Sequence, residues 1–202
     1  EEVGARKLAA FFELHIEQGP ILEDENIDIG VVTHGQGLNW LQVTLTGKEA
    51  HTGSTPMPKR VNAGLGMARI TQLVDEIAWS HAPLAVGAVG HCDVYPNSRN
   101  IIPGKVVFTV DFRHPKQEVI DDMEARLRAG AAEICKEIGL EMEIEQAGKF
   151  DPVEFDDGCV GVAARRHSVR HYGHGRANGV ESERCRVSYH VGGSERFRVR
   201  IR

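Results

Sequence analysis

Net positive charge, aromatic residues and clustered cysteines are all scarce in this 202-residue chain. Its formal charge is −5. That argues against a general nucleic-acid binder, which needs a cationic surface to displace phosphate counter-ions. No apolar run approaches the roughly 18 residues that cross a bilayer, so no membrane partner is expected. Residues Glu1 to Lys7 lack the apolar core of a secretory signal. Cys92, Cys135, Cys159 and Cys185 are scattered, with no CxxC pair and no dense framework. Reduced thiols in a cytoplasm are therefore the expectation. There is also no P-loop, no Gly-rich dinucleotide loop after a strand and no GxSxG elbow.

What is present is an ordinary globular composition, 41% apolar and 26% charged, and a length ample for a core. The charge is uneven. Residues 165–202 hold 10 Arg, no Lys and 3 Glu, a balance of +7, which leaves −12 on residues 1–164. Such a break marks a boundary, a tail or a shifted reading frame. A GC-rich frame shift fits many Arg and no Lys, whereas the alternation Phe197-Arg198-Val199-Arg200-Ile201-Arg202 would suit a strand with one cationic face.

Periodicity divides the rest. Residues 1–10 read as the end of a helix, 11–18 as a buried strand and 27–34 as a second extended piece. Trp40 to Thr46 is rich in strand formers and stops at Gly47. Residues 61–79 carry Leu65, Ala68, Ile70, Leu73, Val74 and Ile77 at helical spacing, with Gly64 and Gly66 weakening the first turns. Residues 84–94 read as a glycine-interrupted strand. In 105–113, Val106, Phe108, Val110 and Phe112 share one face. Pro115 opens a helix through about Ile138, closed by Gly139, and 140–147 alternate as a last strand. Residues 38–147 thus read β-α-β-β-α-β, the order of a four-stranded antiparallel sheet with two helices on one face. The flanks look incomplete by themselves. The expected class is α/β, with this ferredoxin-like unit (37–148) inserted in a larger α/β domain that contributes 1–36 and 149–202.

The chemistry-bearing residues are few. In the run Glu13-Leu14-His15-Ile16-Glu17-Gln18-Gly19-Pro20, an extended strand puts Glu13, His15 and Glu17 on one face and Leu14 and Ile16 on the other. A neutral imidazole with neighbouring carboxylates suits a zinc-like ion; the plainer reading is a histidine paired with Glu13 or Glu17. His51 lies in a loop bounded by Gly47, Gly53 and Pro56, where it can polarise a carbonyl or remain a solvated side chain. Asn100 can bind a carbonyl or amine through its amide, or simply form a turn. Arg113 offers a fork that suits a substrate carboxylate; the plainer reading is a salt bridge to Asp111 or a neighbouring glutamate. His34, His81, His91 and His114 show no ligand spacing. His167, His171, His174 and His190 fall in the anomalous tail.

Three segments together, ELHIEQGPILE at 13–23, GKEAHTGSTPM at 47–57 and PNSRNIIPGKVVFTVDFR at 96–113, resemble the zinc-dependent amidohydrolases. That group includes N-carbamoyl-L-amino-acid hydrolases, β-ureidopropionases and allantoate amidohydrolases, relatives of the di-metal aminoacylases and carboxypeptidases. The resemblance runs from residue 1 to about 160. It implies a di-metal exopeptidase-like catalytic domain with an inserted lid and dimerisation domain. It also implies His15 as a metal ligand, Gln18 as a substrate contact beside the metal, and His51, Asn100 and Arg113 as substrate-binding residues. Of these, His51 would stabilise an oxyanion, Arg113 would grip the substrate carboxylate, and the histidine with its companions would reach into the partner subunit's site. The cofactor implied is a pair of divalent ions (zinc, or manganese, cobalt or nickel), and the partners are an N-carbamoyl amino acid or related ureido acid and a second copy of the chain.

The family pattern would also require a first histidine, a bridging aspartate and adjacent glutamates before Glu1, and a final ligand histidine after about Val162. Neither set is found. Only one expected metal ligand remains, so this chain alone is expected to be inactive. Allantoate or β-ureidopropionate hydrolysis, and a non-catalytic dimerisation or small-molecule-binding module, are the alternatives.

Overall fold

In the computed structural model, residues 10–164 are described, together with the backbone of 170–175 and 186–191. The expected helix at 1–10 lies almost wholly outside that range, as do the alternation at 197–202 and the side chains of the tail histidines. The chain divides into two units, 36–152 and 1–35 with 153–202.

The unit 36–152 is built from the later part of β2 (Ile29–Thr46), β3 (Ala50–His51), α2 (Ala63–Ser80), β4 (Val86–Tyr95), β5 (Ile101–Ile102), β6 (Lys105–His114), α3 (Gln117–Ile138) and β7 (Glu141–Phe150). Four strands pair antiparallel in the order β7-β2-β6-β4, the ferredoxin-like arrangement expected from the periodicity. The alternation of β6 is realised: Val106, Phe108, Val110 and Phe112 are fully buried, as are Leu41, Val43 and Leu45 of β2. They pack against Ile70, Val74 and Ile77 of α2 and Met123, Leu127 and Ala131 of α3. Burying such side chains contributes roughly 1.5–3 kcal/mol each, which is what holds the helices on this face.

The helix ends follow local chemistry. Asn62 accepts from the amides of Gly64 and Leu65 and caps α2. Gly139, at φ +83°, ends α3 in the left-handed conformation that glycine adopts without strain. Gly66 has a different reason to be glycine from helix weakening. A Cβ there would collide with Leu140 and meet Leu45 at 3.1 Å, so its absence lets α2 lie close on the sheet. Asn39 is buried with its polar atoms satisfied. It donates to Glu124 at 2.6 Å and accepts from Gln146 at 2.7 Å, tying β2 to α3 and β7.

The other unit contains β1 (Phe11–Ile16), α1 (Ile21–Asp24), the start of β2, β8 (Val153–Glu154), α4 (Asp157–Ala164), β9 (Arg170–Gly175) and β10 (Arg186–Val191). β1 pairs parallel with β10, and β10 antiparallel with β2. Val31, Val160 and Ala163 form a small core. Asp156 caps α4 by accepting from the Cys159 amide at 3.0 Å.

Three sequence expectations change here. The two extended pieces at 27–34 and 40–46 are one 18-residue strand, because Gly35 and Gly37 continue the ladder rather than interrupt it. The apolar face of β1 is not covered among the described residues, leaving Leu14 51% and Ile16 65% exposed. Cys92 and Cys135 are free thiols as expected, but Cys159 is disulfide-bonded.

Candidate active site

β1 ends at Ile16, so Glu17 leaves the face on which alternation placed it beside His15. Its carboxylate is 6% exposed and accepts from the amides of Ile21 and Leu22 at 3.1–3.3 Å. Glu17 therefore holds the turn into α1. Between strand and turn, Gln18 adopts φ +56°, a left-handed conformation costly for a residue with a Cβ. His15 Nδ1 donates to the Ile16 carbonyl. A backbone carbonyl on one ring nitrogen is a common support for a metal-ligating histidine.

His51 shows the opposite arrangement. Its Nδ1 accepts from the amides of Gly53 and Ser54 at 3.1 and 3.2 Å. An amide can only donate, so Nδ1 carries the lone pair and Nε2 carries the proton. The imidazole is exposed, and its outer edge is a neutral hydrogen-bond donor.

Asn100 is brought to His51 by the fold. β3 pairs antiparallel with β5, setting His51 opposite Ile101, and the Thr52 amide donates to the Asn100 carbonyl at 2.8 Å. Asn100 Oδ1 accepts from the Ser98 hydroxyl at 3.1 Å, which leaves the amide nitrogen as its remaining donor group. The fold thus brings the backbones of His51 and Asn100 together, and each side chain carries an N–H donor. Such a pair matches a carbonyl or carboxylate oxygen and offers nothing to a cation.

Arg113 is not part of that pair. It sits near the far end of β6, opposite Leu38 and Val86, whereas the His51 and Asn100 loops join the sheet at the Lys105 end. Eight strand steps separate Arg113 from Lys105, about 26 Å at the usual rise. Its Nε and Nη2 donate to Asp111 at 2.7–3.2 Å, the ion pair foreseen as the plain reading. Asp111 occupies one edge of the fork and orients the rest.

Among the described residues, no group of three or more His, Cys, Asp or Glu could hold a metal ion. No helix among them is long and apolar enough to cross a membrane. Two contributors were not found by sequence reasoning: Ser98, which orients Asn100, and Arg60, which grips the His51 loop. A cation in a turn-rich loop with no acidic neighbour was the available signal for the latter.

The ferredoxin-like unit defines the class: a mixed α/β chain in which residues 36–152 form a compact unit between the two segments of the other. The chain belongs to the peptidase dimerisation domain family, which matches residues 33–138. It is 63% identical over 156 residues to an N-carbamoyl-L-amino-acid amidohydrolase of Rhizobium meliloti, covering 77% of this chain and 38% of that protein. It is 36% identical over 147 residues to an allantoate amidohydrolase of Escherichia coli K12, covering 72% of this chain and 36% of the relative. Among solved structures, a hydantoinase/carbamoylase-family amidase from Burkholderia multivorans superposes with a TM-score of 0.84 at 47% identity, covering 93% of this chain and 48% of that one. The kinship that the three motifs imply, with the N-carbamoyl-L-amino-acid hydrolase group, is therefore shown. The chain spans between a third and a half of the length of these relatives.

Proposed function

We propose that this chain is the central part of an amidohydrolase that cleaves the carbamoyl C–N bond of N-carbamoyl-L-amino acids, in a metal-dependent reaction. An N-carbamoyl amino acid and water would give the amino acid, carbon dioxide and ammonia. The 63% identity to a protein named for this activity, against 36% for an allantoate amidohydrolase, favours that substrate over allantoate. The observation that carries the reading is the His51 ring, whose Nδ1 accepts from two backbone amides. His51 therefore keeps a proton on Nε2, as an oxyanion donor must, while the Nδ1 of His15 bonds a backbone carbonyl, a contact that suits a metal-ligating histidine.

The described residues do not complete a metal site, so His15 would supply one ligand and the others would come from elsewhere in the protein. Gln18, held in its left-handed conformation, would contact substrate beside it. His51 and Asn100 would donate to the carbonyl oxygen as it gains charge. Arg113, oriented by Asp111, would use the outer edge of its fork on the substrate carboxylate.

Within one protomer Arg113 lies toward the end of β6 opposite the one where the His51 and Asn100 loops join the sheet, eight strand steps from Lys105. This supports a homodimer formed through residues 36–152, in which the donor pair of one protomer and the arginine of the other meet the same small substrate.

The test is a chimera in which residues 36–152 replace the matching segment of the Rhizobium meliloti relative. The chimera hydrolyses N-carbamoyl-L-amino acids, and His51→Ala in it lowers kcat/KM about 10²–10³-fold, the usual loss for one oxyanion donor. A His51→Ala chimera as active as its parent would sink the reading.

A further inference from the structure

We propose that Arg60 is the positioning residue that fixes His51 in its donor tautomer, an inference that rests on the reading of His51 as a substrate contact. Arg60 Nε donates to the Thr55 carbonyl at 3.0 Å, and its Nη2 to the Thr52 carbonyl at 2.6 Å. Those carbonyls bracket Gly53 and Ser54, the two residues whose amides donate to His51 Nδ1. The Thr55 amide closes the turn on the His51 carbonyl at 3.2 Å. Gly53 leaves room for this wrapping, since a Cβ there would press on His51 Cε1 at 3.2 Å.

The choice of arginine is specific. Two carbonyls several bonds apart need two donors in a fixed plane, which a guanidinium has and an ammonium lacks. Among the described residues no carboxylate pairs with Arg60, so its donors are committed to the loop rather than to an ion pair. Its own amide is anchored on the Met57 carbonyl at 3.2 Å. Release of the clamp frees the turn at 52–55, exposes Nδ1 to water, and lets the proton move between the ring nitrogens. The outward Nε2–H donor is then present only part of the time.

The experiment labels the imidazoles of the 202-residue chain with ¹⁵N and reads tautomers from ring nitrogen–proton correlations, alongside amide exchange at Gly53 and Ser54. In the parent chain, His51 shows an unprotonated Nδ1 and a protonated Nε2. In Arg60→Ala the two nitrogens shift toward a tautomer average, and exchange at both amides rises about tenfold or more, the effect of losing charge-assisted bonds. Arg60→Lys keeps the charge and still loses most of the effect. Methyl signals of the core residues Val43 and Val110 check that the unit remains folded. A proton on Nδ1 in the parent chain overturns the proposal, and so does an unchanged tautomer in a folded Arg60→Ala or Arg60→Lys chain. The tautomer is read without catalysis. A lost tautomer alongside a dispensable His51 in the chimera refutes only the functional reading, and an essential His51 with an unmoved tautomer refutes only the role of Arg60.

Discussion

Gly47→Ala is expected to destabilise the unit 36–152 severely, although it adds only one methyl group. Gly47 follows the last residue of β2, and its amide donates to the Gly104 carbonyl at 2.7 Å. A Cβ at this position would collide with the backbone carbonyl oxygen of Val61 and lie 2.8 Å from Leu140 Cδ2. A side-chain methyl can swing aside; the Val61 carbonyl cannot, because it accepts from the Lys48 amide at 2.9 Å. Overpacking costs about 1–3 kcal/mol, and relieving it by separation breaks that hydrogen bond, worth about 1 kcal/mol. The total, about 2–4 kcal/mol, lowers the melting temperature of a domain this size on the order of 10 °C. Thermal unfolding followed by circular dichroism measures it. The control is Gly148→Ala, where the new Cβ meets Trp40 Cε3 at 3.4 Å, an ordinary contact, and the change stays within about 0.5 kcal/mol. If Gly47→Ala melts with the parent chain, the close approach of the 47–48 and 61 backbones does not hold the base of the His51 loop as described.

His114 is buried and its pKa is held below the ordinary 6.5, first by burial. Its Nδ1 accepts from the Lys116 amide at 3.0 Å, a bond that protonation there would end. Below 6.5 the unfolded chain binds this proton more readily than the folded one, so stability is full above that pH and falls as the pH drops through the window beneath it. Urea midpoints across that window should fall with pH in the parent chain and flatten in His114→Gln; an equal slope in both would assign the effect to other groups. The 202-residue chain by itself, supplied with zinc, manganese or cobalt, is expected not to hydrolyse N-carbamoyl amino acids, since His15 is its one proposed ligand. Ammonia release above the metal blank would contradict that.

The fold was legible where side chains repeat with a period. The strict alternation of β6 and the stripes of α2 and α3 are consequences of burial on one face, and burial is what periodicity reports. It was illegible where one backbone approaches another. Gly66 looks like a weak helix former until Leu140 and Leu45 are seen to occupy the space a Cβ would need. Glu17 looks like a companion of His15 until the strand ends two residues early, at Ile16, and its carboxylate turns to the amides of α1. The candidate site divides in the same way. Residue types and motif order pointed to His51, Asn100 and Arg113, but spacing misleads about distance. Asn100 lies 49 positions from His51 and 13 from Arg113, yet it neighbours the first and not the second. The pairing of β3 with β5 folds the distant residue close. The length of β6 carries the nearer one away, because a strand is the most extended path a chain can take. Three side chains proposed to hold one small substrate therefore sit at two ends of one sheet, and a second protomer is the simplest way to bring those ends together.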